Sequence, residues 1–206
     1  MTKKQLSKRT PRQARALARR QKILDTTESL ASAVDPDAIT TTSIARGADI
    51  PVGSVYQYFE NREDILGIVY KKSYDEVMAT VMQSFQDMPD DISWEDEFHY
   101  ILTVFWSTAK DHPTFRTMTR WHNNHNTLWA ATPDIDSDFG LLVQEAIKRA
   151  GILLPEDRRI AILQTTVTTI SMLIDQILEQ DEEESAEQLV RELNTLIVTY
   201  ISNLSS

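Results

Sequence analysis

Apolar positions along the chain recur at intervals of three and four over most of its length, and period-two alternation is scarce, so the pattern predicts an all-α protein. Thr10-Pro11-Arg12-Gln13 reads as a helix start: Thr10 can cap, Pro11 suits the first helical position, and Gln13 completes a capping box. Ile23, Leu24, Thr27, Leu30, Ala31 and Val34 then fall on one apolar face, until Asp35-Pro36-Asp37 breaks the helix. A short helix follows, with Thr40 as N-cap and Ile44, Ala45 and Ala48 turned inward. The turn Asp49-Ile50-Pro51 leads into a third helix from Val52 to about Phe59. A long helix begins near Arg62 and buries Ile65, Leu66, Val69 and Val77. After a polar loop containing Pro89, Ser93 caps a helix reaching about Lys110, and Pro113 opens a short one through about Trp121. Residues 122–134 show no clear period and read as a loop or an irregular helix. Three more helices are expected near 136–150, 156–179 and 184–204, separated by Gly151…Pro155 and by the acidic run Asp181–Glu184.

The net charge of −10 taken alone argues against a polyanionic partner, but its distribution reverses that reading. Residues 1–22 hold nine lysines and arginines and no acid. Residues 1–72 carry thirteen basic and eight acidic side chains, against eight and twenty-three in residues 73–206. A basic head on an acidic body directs polyanion binding to one end. Arg12, Arg15, Arg19 and Lys22 recur at helical spacing and make one basic stripe. There is no cysteine, which excludes disulfides, thiolate nucleophiles and Cys-zinc sites and suits a reducing cytoplasm. The basic N-terminus lacks the apolar core of a secretory signal, and no stretch approaches the roughly 18 apolar residues of a membrane span. The expectation is a cytoplasmic protein with no membrane partner.

Two short helices joined by a tight turn, placed after a basic helix, meet the physical criteria for a helix-turn-helix. The second helix has a polar outer face (Ser54, Gln57, Tyr58), while Val55 and Phe59 lie four apart and anchor it. Gly53 would let it approach a neighbouring helix or a phosphate closely. The ungapped stretch from Thr40 through Ile44-Ala45, Ala48-Asp49-Ile50-Pro51, Gly53-Ser54-Val55-Tyr56-Gln57-Tyr58-Phe59 and Arg62-Glu63-Asp64-Ile65-Leu66 resembles the signature of TetR-family regulators. That signature has a Thr cap, Ile-Ala, an Ala-Gly-Val-Ser turn, Gly-x-x-Tyr-x-Tyr/His-Phe and Lys-Glu-x-Leu. Asp49 replaces the usual turn Gly, and Asp tolerates a left-handed conformation better than most residues. Pro51 replaces a common capping Ser, which removes one contact. The resemblance covers about residues 20–70 and implies roles. Thr40, Thr41, Tyr56 and Arg62 would bond phosphates. Ser54, Gln57 and Tyr58 would face the groove from a helix beginning at Pro51, Val52 and Gly53, with Gln57 suited to pair with adenine. Arg12, Arg15 and Arg19 would add non-specific attraction.

Beyond the head, Phe98, Ile101, Leu102, Phe105 and Trp106 share one helix side, and Trp121, His122, Asn123, Asn124, His125 and Trp129 lie around the irregular segment. Aromatic walls with a few polar groups suit a small-molecule pocket, and the same rings equally suit plain core. The expected ligand-binding set is Phe98, Leu102, Phe105, Trp106, Trp121, His122, His125 and Trp129. The last two helices carry broad apolar faces. The resemblance implies a dimer seam there, through Leu163, Val167, Ile170 and Ile174, with Leu189, Leu193, Leu196, Ile197 and Tyr200. Asp134-Ile135-Asp136-Ser137-Asp138 with Glu145 nearly spells a calcium loop, but Phe139 stands where the sharp turn needs Gly. His122 and His125 could share a metal, yet no third ligand is evident. No Walker loop, nucleophile elbow or zinc-protease motif occurs, so no enzyme, cofactor or metal is expected.

The expected protein is all-α: an N-terminal three-helix helix-turn-helix domain (residues 1–70) and a larger helical effector-binding and dimerisation domain (residues 71–206). The resemblance implies a homodimeric regulator, a repressor released from a palindromic double-stranded operator by a small-molecule effector. Two alternatives stay open: a DNA-binding protein without an effector, and a calcium-responsive helical protein using the 134–145 acidic loop.

Overall fold

The computed structural model describes residues 11–89, 91–127, 130, 132–180 and 182–204, without the side chains of Pro11 and Arg12. The expected Thr10 cap, the basic residues before position 11, Trp129 and Asp181 lie outside the described residues. Among the described residues every regular element is helical. They are α1 (Pro11–Ala31), α2 (Thr41–Gly47), α3 (Val52–Val55), α4 (Arg62–Gln86), α5 (Trp94–Asp111), α6 (Phe115–His125), α7 (Asp138–Arg149), α8 (Arg159–Leu178) and α9 (Glu183–Ser202), with one 3-10 turn at Pro36–Ala38. The chain forms two compact units, residues 1–69 and 70–206.

In the first unit Ile23, Ile39, Ile44, Ala45, Val55, Phe59, Ile65 and Leu66 form the core. Thr27 sits in that apolar face fully buried because its hydroxyl donates to the Ile23 carbonyl at 2.9 Å, which satisfies it locally. Val34, expected on the same face, is 46% exposed: α1 ends at Ala31, and the amides of Ala33 and Val34 close on Leu30. Gly47 lets α2 pack close to α1, since a Cβ there would stand 2.7 Å from Thr26 Cγ2.

The second unit is a helical body in which α5 packs against α6, α7, α8 and α9, α8 against α6, α7 and α9. Its core runs from Val77 to Ile201 and includes Phe98, Phe105, Phe115, Phe139, Val167, Ile170 and Leu193. Ser93 and Ser137 cap α5 and α7, accepting from Asp96 N and Gly140 N, both at 3.1 Å. Helix α6 begins two residues after Pro113. His112 Nδ1 accepts from the Thr114 and Phe115 amides there, in place of a Thr114 side-chain cap. Helix α7 ends in a Schellman closure: Gly151 has φ 70°, its amide reaches Lys148 O at 3.0 Å, and Ile152 N reaches Ile147 O at 3.2 Å.

Two expectations change. The segment after Trp121 is not irregular throughout, because α6 continues to His125 and carries His122, Asn123 and Asn124 on a helix. Helix α8 is also long and apolar enough, by length and composition, to cross a membrane. It nevertheless buries Leu163, Val167, Ile170, Ile174 and Ile177 against neighbouring helices, as the core helix of a folded body does.

Candidate nucleic-acid interface and ligand cavity

The head is built from helix ends. Thr40 Oγ1 accepts from Ser43 N at 3.1 Å and Ser43 Oγ accepts from Thr40 N at 2.9 Å, a reciprocal box that fixes the start of α2. Its other end is a second Schellman closure, with Asp49 at φ 52° in the position Gly151 holds on α7. Asp49 N reaches Arg46 O at 3.2 Å and Ile50 N reaches Ala45 O at 3.0 Å. Pro51 then caps α3 without a side-chain bond. Helix α3 is shorter than expected: it stops at Val55 and Tyr56–Tyr58 form a turn, although the Tyr58 and Phe59 amides still reach Val55 O.

Thr41 Oγ1 and Tyr56 Oη lie 3.1 Å apart, so the structure brings together two of the expected phosphate ligands across the turn. Tyr56 is 55% exposed beside exposed Pro51, Gly53 and Gln57, while Val52 and Ser54 are half-buried. A Cβ on Gly53 would meet nothing within 4 Å, so this glycine borders open space and not a neighbouring helix. Tyr58 does not project freely; half-buried, it lines a shallow hollow with Gln13, Leu17 and Arg20. Arg20 lies over the Phe59 ring, 5.2 Å from its centroid, and holds the turn to α1. Arg15 and Arg19 are exposed on α1, and Arg12 follows the same helix.

Arg62 differs from the expectation. Its Nη1 donates to Asp37 O at 3.0 Å and Ile39 O at 3.3 Å, its Nε to Glu63 Oε1 at 2.9 Å, and its Nη2 lies 2.9 Å from Glu63. The guanidinium is a staple between the start of α4 and the 37–39 segment, with little donor capacity left for phosphate.

In the body a cavity of about 40 Å³ is lined by Tyr70 and Tyr74 of α4, Phe105 of α5, Phe115, Thr119 and Asn123 of α6, Phe139 of α7, and Ser171, Ile174 and Asp175 of α8, with Pro133. Asn123 Nδ2 donates to Asp175 Oδ2 at 2.8 Å. Burial pushes the Asp175 carboxyl up to about 6, Glu179 adds to the rise, and the Asn123 bond opposes it. Burial likewise raises Tyr70 to about 12 and Tyr74 further, so both phenols are neutral at physiological pH. A second hollow of about 860 Å³ is an open trough along α4, α7 and the 151–156 segment, with Leu153 85% exposed on its rim.

Of the expected ligand residues, Phe105 alone among the described ones lines the cavity beside Asp175. Phe98 is core and tilts against Trp94 at 5.2 Å. Leu102 and Trp106 border a packing gap of about 10 Å³ against α8 and α9. Trp121 is buried and stacks on His125 at 5.1 Å, while His122 stacks on Tyr70 at 4.0 Å, and burial lowers its pKa. The two histidines thus face different rings and share no site.

Residues 23–67 match the family described as bacterial regulatory proteins, tetR family, and residues 93–201 match the tetracyclin repressor-like C-terminal domain. The chain belongs to the TetR family. Similar solved structures bear out the fold at low identity. A TetR-family regulator from Pectobacterium atrosepticum is 14% identical with a TM-score of 0.68, covering 96% of this chain and 98% of that one. RolR, solved with the ligand resorcinol, is 16% identical with a TM-score of 0.65, covering 94% and 95%. A TetR-family regulator from Streptomyces coelicolor is 19% identical with a TM-score of 0.64, covering 93% and 99%. No curated protein matches the chain. TetR-family members are DNA-binding transcription regulators rather than enzymes, with a helix-turn-helix head and a ligand-binding helical domain. Membership therefore makes this chain a DNA-binding regulator.

For a TetR-family chain, the seam residues matter most for assembly, and the structure splits that set. Leu163, Val167, Ile170, Ile174, Leu193 and Ile197 are all 8% exposed or less and belong to the protomer's own core. The large apolar residues of α8 and α9 left outside are Ile160 (65% exposed), Met172 (43%), Leu189 (37%) and Leu196 (50%), with Tyr200 half-buried. Leu173, Gln176, Leu189, Glu192 and Leu196 line a groove of about 280 Å³ between α8 and α9. The calcium-like loop is a helix entrance: Ser137 caps α7, Glu145 is paired with Lys148 at 3.0 Å, and Gly140 packs so tightly on the Ile135 carbonyl that a Cβ would clash. Among the described residues no three His, Asp or Glu side chains converge as metal ligands.

Most cavity residues escaped the sequence reading because they come from five helices and one loop, with no common period. Asp175 left one signal, a lone acid inside the otherwise uncharged stretch Ile160–Leu178.

Proposed function

We propose that the chain is a homodimeric repressor whose heads occupy the two halves of a palindromic operator, released when a small molecule fills the helical body. The observation that carries the DNA half of this reading is the Thr41–Tyr56 hydroxyl pair at 3.1 Å beside exposed Gln57. It presents phosphate-bonding hydroxyls and a base-reading amide where the start of α2 meets the turn that follows α3. In this reading Thr40, Thr41 and Tyr56 bond phosphates, Ser54 and Gln57 read base edges, and Tyr58 supports the turn. Pro51, Val52 and Gly53 let the backbone approach. Arg12, Arg15 and Arg19 supply sequence-independent attraction. Arg62 acts through the fold. The dimer forms through the outer face of α8 and α9, around Met172, Leu189, Leu196 and Tyr200. RolR was solved with resorcinol, and the corresponding helical body here supports an effector in the cavity beside Asp175. Occupancy then shifts the population between two dimer states that differ in head spacing.

The test uses the duplex this protein selects from a random pool, a scrambled duplex and a salt series. Gln57→Ala removes a base contact worth about 1–3 kcal/mol, so binding to the selected duplex weakens while the scrambled duplex and the salt slope are unchanged. Arg19→Ala weakens both duplexes and lowers the salt slope by about one unit per half-site. Equal weakening of both duplexes by Gln57→Ala, with the slope intact in Arg19→Ala, overturns this docking.

A further inference from the structure

We propose that the cavity beside Asp175 receives a monovalent organic cation, a protonated amine carried on a small aromatic or apolar frame. The inference rests on the effector reading and names its ligand class. Five rings line the wall, from Tyr70, Tyr74, Phe105, Phe115 and Phe139, and none of the described lining residues is basic. Rings present negative faces to a cation, and the wall holds one carboxylate with no protein counter-charge. Arg120, on the same helix as Asn123, is held by Glu179 at 2.9 and 2.6 Å and leaves Asp175 uncompensated. The bond from Asn123 satisfies one Asp175 oxygen and neutralises no charge. A second polar group waits in the same wall: the Thr119 hydroxyl is buried and has no hydrogen-bond partner. An ammonium supplies both the missing positive charge and donors for these oxygens. An anionic ligand would meet Asp175 with like charge.

The charge state of the wall supports the direction. The groups facing Asp175 are Tyr70 and Tyr74 from α4, Asn123 from α6 and Glu179 on its own helix; Asp138 of α7 acts on Tyr74. The phenols stay neutral, and burial holds Asp175 near 6, so the carboxylate is mostly ionised at pH 7.5 and mostly protonated at pH 5. A bound ammonium favours the ionised form, so affinity falls as pH drops through 6. The cavity of about 40 Å³ has room for roughly three waters. The ammonium fits within that volume, while a ligand's frame extends through the open side or displaces a wall ring, and a displaced ring couples binding to helix position.

Titration calorimetry on the full chain with benzylamine, phenethylamine, benzyl alcohol and benzoate, at pH 7.5 and 5.0, tests this. Both amines bind more tightly than the alcohol at pH 7.5, benzoate does not bind, and amine affinity drops at pH 5.0. Asp175→Asn weakens the amines by about 30-fold or more, the usual consequence of removing one partner of a buried charge pair. Binding of benzyl alcohol is unchanged in that variant, which shows that the cavity is still folded. The inference is overturned if the alcohol matches the amines, if Asp175→Asn leaves amine affinity intact, or if none of the four binds. Should neutral compounds bind and weaken DNA affinity, the ligand class is wrong and the effector reading stands. Should the amines bind through Asp175 without altering DNA affinity, the cation site stands and the effector reading falls.

Discussion

In the head, the informative polar side chains lie at the surface and already hold partners within that unit. Thr40 and Ser43 close a capping box, Arg62 ties down two carbonyls, and Thr41 meets Tyr56 across a turn. In the body, the informative polar groups line a cavity and are under-satisfied: among the described residues Thr119 has no hydrogen-bond partner, and half-buried Asp175 has one amide bond and no cation in its wall. The contrast follows from what each unit must recognise. Duplex DNA is large and charged, so its reader needs a rigid surface whose own hydrogen bonds are complete before binding. A small ligand supplies the missing bonds itself, so its receptor tolerates polar groups left incomplete in a low-dielectric interior. The same Schellman closure ends α2 and α7, yet the head places Asp49 at the left-handed position and the body places Gly151 there.

The largest effect separates interior from surface in the body. Ile170→Asp puts a carboxylate into a site 1% exposed and unfolds the protomer, at a cost of about 4 kcal/mol or more. Leu196→Asp, at a site 50% exposed, changes stability by no more than about 0.5 kcal/mol and converts the dimer to monomer. Circular dichroism and sedimentation on both variants check this; a folded, monomeric Ile170→Asp would return that residue to the seam.

Next comes Arg62. Removing it orphans the Asp37 and Ile39 carbonyls and costs about 1–3 kcal/mol in urea unfolding, while the salt slope of DNA binding stays where it was. A stable Arg62→Ala with a slope lowered by one unit per half-site would make it a phosphate ligand after all.

The smallest effect lies in the turn. Asp49→Gly relieves the left-handed strain and stabilises the head by about 0.5 kcal/mol, seen as a slightly raised melting temperature. A destabilised variant would mean that the Asp49 side chain contributes more than its backbone conformation costs.

Legibility along the chain tracks how local the physics is. The Thr40 cap, the Asp49 turn and the Ser93 helix start were readable, because capping and turn chemistry act over four or five residues. Helix ends that depend on packing were not: α1 stops before Val34, α3 ends at Val55, and α6 runs on through His122 to His125. Arg62 was assigned by resemblance to phosphate, and the carbonyls that claim it lie 23 and 25 residues away.

The sequence by itself determined the helical class, the basic head on an acidic body and the membership legible in residues 40–66, since each is written in spacing, charge and short-range motif. Only the tertiary structure decided which face of α8 and α9 is core and which is left outside, because both faces are apolar and periodicity ranks neither. It alone brought Tyr70, Phe105, Asn123 and Asp175 around one cavity. A cavity exists where several helices fail to fill the space between them, and no single helix carries that information.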